Sequence, residues 1–199
     1  EYELDGINQI QVKPAIGLSF ATVLRAVLRQ DPDVMMIGEI RDEETAAISI
    51  QAALTGHLVL STLHTNNAAG AITRLLDMGV ESYLLTSALK AVVAQRLVRT
   101  LCTECRAPET PDAVVLEDLG IDAGAALFRA VGCPSCSGTG YRGRSVVAEC
   151  LPLDEGIRNL VQARANTETI AAAATELEFR TLRQDGLLKA LTGVTSLEE

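Results

Sequence analysis

The chain has 199 residues, room for one domain and a satellite. Hydrophobic residues make up 48% and aromatics only 3%, without a Trp, so the core must be aliphatic. A net charge of −9, from 17 basic and 26 acidic residues, argues against a nucleic-acid binder, which wants a basic footprint. No apolar run approaches the roughly 18 residues of a membrane-spanning helix.

The opening is abrupt, without Met and without a charged-then-apolar leader, which predicts an excised piece of a longer protein. Residues 1–18 read as extended, with Ile10 and Val12 alternating with polar neighbours until Pro14 and Gly17 break the run. Ser19 is a natural N-cap. Phe20, Val23, Leu24, Val27 and Leu28 then form one apolar helical face, which Pro32 ends. Val34-Met35-Met36-Ile37 reads as a buried parallel strand. Asp42 caps the next helix, with Glu43 and Glu44 suited to its first turn and Gly56 to its end.

Leu58-Val59-Leu60 predicts a second buried strand. Asn66 or Asn67 caps a helix reaching Met78, and Gly79 stops it. Residues 82–100 read as a longer helix, with Leu85, Leu89, Val92, Val93 and Leu97 on its inner face. Strands alternating with helices predict an α/β fold with a parallel sheet, incomplete because only two or three strands are visible.

From Cys102 to about Arg144 the pattern changes. Cys, Pro and Gly cluster, with one helical turn near Val114–Leu119. Val146-Val147-Ala148 returns to strand. Asp154 caps a helix through Arg164, Thr167 caps another, and Thr181 to Leu191 gives a third, closed by Gly193.

Two places carry chemistry. One is the acid at the end of the first apolar strand. Strand carboxyl ends open onto the ligand crevice of an α/β sheet. A carboxylate there can orient or deprotonate an attacking water, or hold the shell of a Mg²⁺ ion. On local pattern alone, a surface acid just past a strand is the favoured reading of Glu39.

The other is the set of four cysteines. Cys102-x-x-Cys105 and Cys133-x-x-Cys136 are separated by 27 residues, 106 to 132. Each CxxC brings two thiolates to one ion, and two units give the tetrahedral S₄ set of a closed, structural Zn²⁺ site. A redox CxxC or two disulfides are the competing readings, and both suit a single motif better than a matched pair. Paired CxxC units in such a chain point to a reducing compartment. Cys150 lies in an apolar stretch and reads as a small buried hydrophobe.

In order, Leu28-Arg29-Gln30-Asp31-Pro32-Asp33, then Gly38-Glu39-Ile40-Arg41-Asp42, then Thr55-Gly56-His57-Leu58-Val59-Leu60-Ser61-Thr62-Leu63-His64-Thr65 follow one another. This series closely resembles the type II secretion and type IV pilus assembly ATPases. Ser145 to Glu149, Asp185-Gly186 and Gly193 to Glu199 also fit. The resemblance implies a partial RecA-like P-loop NTPase core, with Glu39 as the family's Walker B glutamate and His57 and His64 as its paired histidines. For either imidazole, a hydrogen-bonded structural role is the alternative. Arg25 and Arg29, four apart on one helical face, match arginines for which intersubunit or nucleotide pairing is the family-based expectation and a solvated face or salt bridges the plain one. Arg41 is expected to pair with acids near the nucleotide. The cysteines match the family's tetracysteine motif.

No Gly-Lys pair occurs, so the phosphate loop G-x-x-x-x-G-K-[ST] is absent from these residues. In the family that loop, and an acidic Asp box, lie upstream of Glu1. Gly138-Thr139-Gly140-Tyr141-Arg142-Gly143 satisfies G-x-G-x-x-G, but a CxxC precedes it and a strand follows, so the glycines read as turns closing a zinc knuckle.

The expected organisation is residues 1–100 for the core, 101–144 for the tetracysteine zinc subdomain and 145–199 for a C-terminal helical subdomain. The resemblance implies part of a cytoplasmic, hexameric ATPase, using Mg²⁺ with ATP, which acts through inner-membrane platform proteins at the membrane's inner face. The segment alone is expected to be inactive. A noncatalytic zinc-bearing interaction module and a zinc-ribbon nucleic-acid binder are the competing classes, and the acidic charge opposes the second.

Overall fold

A computed structural model describes residues 3–122, 124–176 and 179–199. The chain divides into two compact units, Glu1–Val92 with Pro152–Ala174, and Val93–Leu151 with Thr175–Glu199.

In the first unit, the residues between 3 and 18 form no strand. One 3-10 turn, Pro14–Ile16, and one bridge between Lys13 and Leu18 interrupt an irregular course, and Ile7 and Ile10 stay exposed. The sequence expectation of an extended run is therefore corrected, with residues 1 and 2 outside the described set. Alternation in that stretch is too short to bury a face.

Helix α1, Phe20–Val27, starts where the Ser19 hydroxyl accepts the Thr22 amide, satisfying one orphan donor of the first turn. It tightens into a 3-10 turn, Leu28–Gln30, that ends at Asp31 in the left-handed region. Arg29 lies in that turn, just past the end of the α-helix that carries Arg25. Strand β1, Val34–Ile37, pairs in parallel with β2, Leu58–Ser61, from Val34 opposite Leu58 to Ile37 opposite Ser61. Between them runs α2, Glu43–Leu54, capped by Asp42 through the Thr45 amide at 2.8 Å.

Leu24, Met35, Ile37 and Ala52 form the core under this pair, with Phe20, Leu28, Ile48 and Val59 packed around it. Only one face of the strands is covered. Val34, Met36, Leu58 and Leu60 point the other way, and Met36 is 70% exposed. The expectation of fully buried strands fails because the sheet has two strands here and helices on one side.

Helix α3, Ala68–Asp77, is capped by Asn67, which resolves the choice between Asn66 and Asn67. Helix α4 covers Ser82–Ala88 only. The backbone then extends at Leu89, and Ala91–Leu101 is strand β3. The predicted helix over 82–100 is corrected: its second half holds Val92, Val93 and Val98, whose branched side chains suit a strand. Helices α6, Glu155–Gln162, and α7, Thr167–Thr175, belong to this unit apart from the last residue of α7. Asp154 caps α6 as expected. For α7, Asn166 rather than Thr167 accepts the first-turn amide, from Thr169 at 2.8 Å.

The second unit holds two small sheets: β3 with β6, Tyr141–Pro152, apart from Ala91, Val92 and Pro152 at their ends, and an antiparallel pair of β4, Ala107–Glu109, with β5, Leu127–Arg129. Helix α5, Ala113–Leu119, and α8, Leu182–Leu191, bury Leu116 and Ala190 against Leu127. Along β6, Val147, Glu149 and Leu151 turn inward, so Cys150 falls on the outer side and is exposed. This corrects the expectation of a buried Cys150.

Two inward carboxylates are held by backbone amides. Glu149 accepts the Leu182 amide at the start of α8, and Asp185 accepts the Ala148 amide, both at 2.9 Å. Residues past Gly193 lie along the end of β3. The Leu101 amide donates to the Val194 carbonyl, and Glu199 grips the guanidinium of Arg99, which lies over the Tyr141 ring.

Candidate active site and metal centre

Glu39 comes two residues after β1, and His64 three after β2. The parallel register sets Ile37 beside Ser61, so both side chains emerge at the carboxyl end of the strand pair. Side-chain clasps extend the pairing beyond the strands. The Ser61 hydroxyl donates to the Ile37 carbonyl at 3.0 Å, the Thr62 hydroxyl to Gly38 at 2.6 Å, and the Ile40 amide to Thr62 at 3.0 Å. Sequence reasoning did not single out Ser61 and Thr62. The signal available was two hydroxyl residues directly after an apolar strand.

Both oxygens of Glu39 have partners. Oε1 pairs with Arg41 Nη2 at 2.5 Å, and Oε2 meets His64 Nε2 at 3.2 Å. The Glu39 side chain is 19% exposed, against 70% for Arg41 and 88% for His64. The Arg41 hydrogen bond, with the charges of Arg41 and His64, holds the Glu39 carboxyl below its ordinary range despite partial burial. The same pairing raises Arg41. A carboxylate that stays ionised beside an accessible imidazole can orient a water or take a proton from it.

The other sequence-predicted residues lie elsewhere in this unit. His57 Nδ1 sits 2.9 Å from the Ala52 carbonyl and 3.1 Å from the Thr55 hydroxyl, so it closes the end of α2. Arg25 pairs with Glu44 of α2 at 2.6 Å, an exposed ion pair. Arg29 is exposed and makes no ion pair among the described residues.

In the second unit the four cysteine sulfurs all lie within 4.8 Å of one another. Cys102 to Cys133 is 3.9 Å, Cys105 to Cys136 3.8 Å and Cys133 to Cys136 3.7 Å. A tetrahedron with metal–sulfur distances of about 2.3 Å has edges of about 3.8 Å, so the sulfurs fit one tetrahedral ion. Bonded sulfurs would stand about 2.05 Å apart, which sets the disulfide reading aside for this arrangement.

Amides point at the sulfurs: Gly132 at Cys105 (3.3 Å), Cys133 at Cys136 (3.1 Å) and Gly140 at Cys136 (3.2 Å). The Cys133 and Gly140 amides draw the Cys136 thiol down to about 6, whereas burial pushes Cys105 up to about 12. The turns depend on glycine. Gly140 has φ 78°, and a Cβ there would stand 2.6 Å from the Ala130 side chain; one on Gly132 would reach 2.5 Å from the Gly138 carbonyl. Gly138 and Gly143 of the G-x-G-x-x-G run also have positive φ, so the run forms turns beside the cysteines. Ser135 donates to Glu104 at 2.5 Å, tying one CxxC loop to the other.

The whole chain, residues 1–199, matches the family model described as "Type II/IV secretion system protein". The chain belongs to this family. It is 53% identical over 199 residues to the type II secretion system protein E of Pectobacterium carotovorum, and 52% identical over 203 residues to the type IV pilus assembly ATPase PilB of Thermus thermophilus. All of this chain is covered in both cases, but only 40% and 23% of those relatives. Among solved structures, the pilus retraction motor PilT with bound ADP aligns over 90% of this chain and 42% of its own, at 28% identity and a TM-score of 0.62. The Legionella pneumophila ATPase DotB covers 98% of this chain and 46% of its own at 23% identity and a TM-score of 0.64, a likeness of fold. These family relatives are ATPases of secretion and pilus systems, and the α/β fold resembles their ATPase domains. Among the described residues, no helix is long and apolar enough to cross a membrane.

Proposed function

We propose that this chain is the water-activating half of a hexameric ATPase that powers type II protein secretion or type IV pilus assembly. The observation that carries the reading is Glu39, an ionised carboxylate at the carboxyl end of β1, facing His64 from the end of β2. Glu39 orients the attacking water and takes its proton, while His64 senses the terminal phosphate or passes the change to its loop. Mg²⁺, bound with ATP, neutralises charge on the phosphates. His57 acts by holding the turn into β2, and Arg25 and Arg29 serve contacts between neighbouring subunits.

Cys102, Cys105, Cys133 and Cys136 hold a structural Zn²⁺ that ties two loops together and supplies no open coordination position. The assembly works in the cytoplasm, at the inner face of the membrane, with platform proteins of that membrane as partners.

None of the 199 residues forms a phosphate loop, so the chain by itself lacks the amides and Lys that grip ATP. The test compares Mg²⁺-dependent ATP hydrolysis by this chain alone with that of a longer polypeptide in which a P-loop-bearing segment precedes it. Turnover is expected only in the longer form. Robust turnover by the chain alone would overturn the assignment of its site.

A further inference from the structure

We propose that Arg41 is a positioning residue for this reaction: by taking Oε1 of Glu39, it leaves Oε2 as the oxygen that handles the water. The inference rests on the reading of Glu39 given above.

Four observations carry it. The Arg41–Glu39 contact is short, 2.5 Å, and involves a single carboxylate oxygen. The backbone on both sides of Arg41 is pinned, by the Ile40 amide on Thr62 and by the Asp42 side chain on the Thr45 amide, so the guanidinium is aimed from a fixed segment. The partner on Oε2 is His64, whose side chain is 88% exposed, so this oxygen lies on the side of the carboxylate that solvent reaches. Finally, the Arg41 side chain is 70% exposed, and such ion pairs contribute little to folding. A short, aimed and structurally unneeded cation fits a role in orienting Glu39. Among the described residues, Arg41 from its own loop and His64 from the loop after β2 are the charged or titratable groups that face this carboxylate.

Guanidinium and ammonium differ here. Lys can supply the charge, but not the planar, preorganised guanidinium that aims Nη2 at Oε1.

The experiment uses the longer polypeptide that carries this segment together with a P-loop, and compares Arg41→Gln, Arg41→Lys and Glu39→Gln by pH–rate profile, kcat, KM and thermal melting. For Arg41→Gln, kcat is expected to fall on the order of tenfold, the factor one charge-assisted contact is worth. KM for ATP should stay near the parent's and the melt should be unchanged. The acid limb of kcat should move to higher pH, because a carboxylate without its cation keeps its proton longer. Arg41→Lys should restore the acid limb and only part of kcat. Parent-like kcat and acid limb in Arg41→Gln would overturn the proposal. So would a raised KM with unchanged kcat, since Arg41 would then be holding nucleotide. If Glu39→Gln retains turnover, the reading of Glu39 falls and this inference with it; if Glu39→Gln loses turnover while Arg41→Gln does not, only this inference falls.

Discussion

Glu39 and His64 stand 25 positions apart in the chain, yet Oε2 of the first lies 3.2 Å from Nε2 of the second. Parallel pairing of β1 with β2 brings about the meeting, and the hydroxyl clasps of Ser61 and Thr62 carry the register past the strand ends. The other histidine, His57, has no such partner and closes a helix end instead.

The two histidines should therefore respond differently to substitution. His57→Ala removes the hydrogen bond at the end of α2 and is expected to lower stability by about 0.5–1.5 kcal/mol. His64→Ala removes only an exposed contact, so the melt should not change, while turnover of the longer polypeptide should fall. Thermal melting of this chain and hydrolysis by the longer form check the pair. A lower melt for His64→Ala would reverse the two roles.

The cysteine cluster should contain about one equivalent of zinc per chain in protein purified without added metal. Cys136→Ser should abolish it, since this sulfur receives two amides and has two sulfur neighbours within 3.8 Å. Structural zinc is worth roughly 10–16 kcal/mol of apparent binding energy in small domains. Chelation should then expose the knuckle, residues 102–144, to protease. Full occupancy in Cys136→Ser would contradict a four-sulfur site.

Asp185 sets an acid limit on the second unit. Burial alone would raise its carboxyl, but Lys189, the Ala148 amide and Arg180 outweigh it and hold the group below its ordinary value. A depressed carboxyl contributes stability above its unfolded pKa of about 3.9, and that stability is lost as pH falls through the lower, folded value. Asp185→Ala should cost about 1–3 kcal/mol near neutrality by stranding the amide and half-buried Lys189, and the gap from the parent should close in acid. Melting curves taken down the pH scale measure it. A constant gap at every pH would show that packing, not charge, makes the difference.

Much of this was legible in the residues, for local reasons. Ser19, Asp42, Asn67 and Asp154 each accept an amide three residues on, as cap chemistry requires. The CxxC spacing identified sulfurs that do converge. What failed depended on partners far along the chain. Leu85, Leu89, Val92, Val93 and Leu97 fit a helical period, but Val92 onward pairs with a strand some 50 residues later, which no local pattern reveals. Cys150 sits beside the inward Glu149 and Leu151, so the buried side of β6 includes an acid and hydropathy alone assigns the wrong face. Arg41 was expected to pair with an acid near the nucleotide, but that this acid is Glu39 follows from the backbone held on either side of Arg41.

Whether Glu39 acts on water is decided by Glu39→Gln in the longer polypeptide. The substitution keeps size and hydrogen-bonding capacity and removes the charge. Nucleotide affinity, oligomer size and turnover should be measured on one preparation. With the oligomer intact and affinity nearly unchanged, turnover should fall by about 10²–10⁴-fold, the usual contribution of a general base. Turnover near the parent's in an intact oligomer would contradict the claim and leave Glu39 as a strand-end acid without a part in hydrolysis.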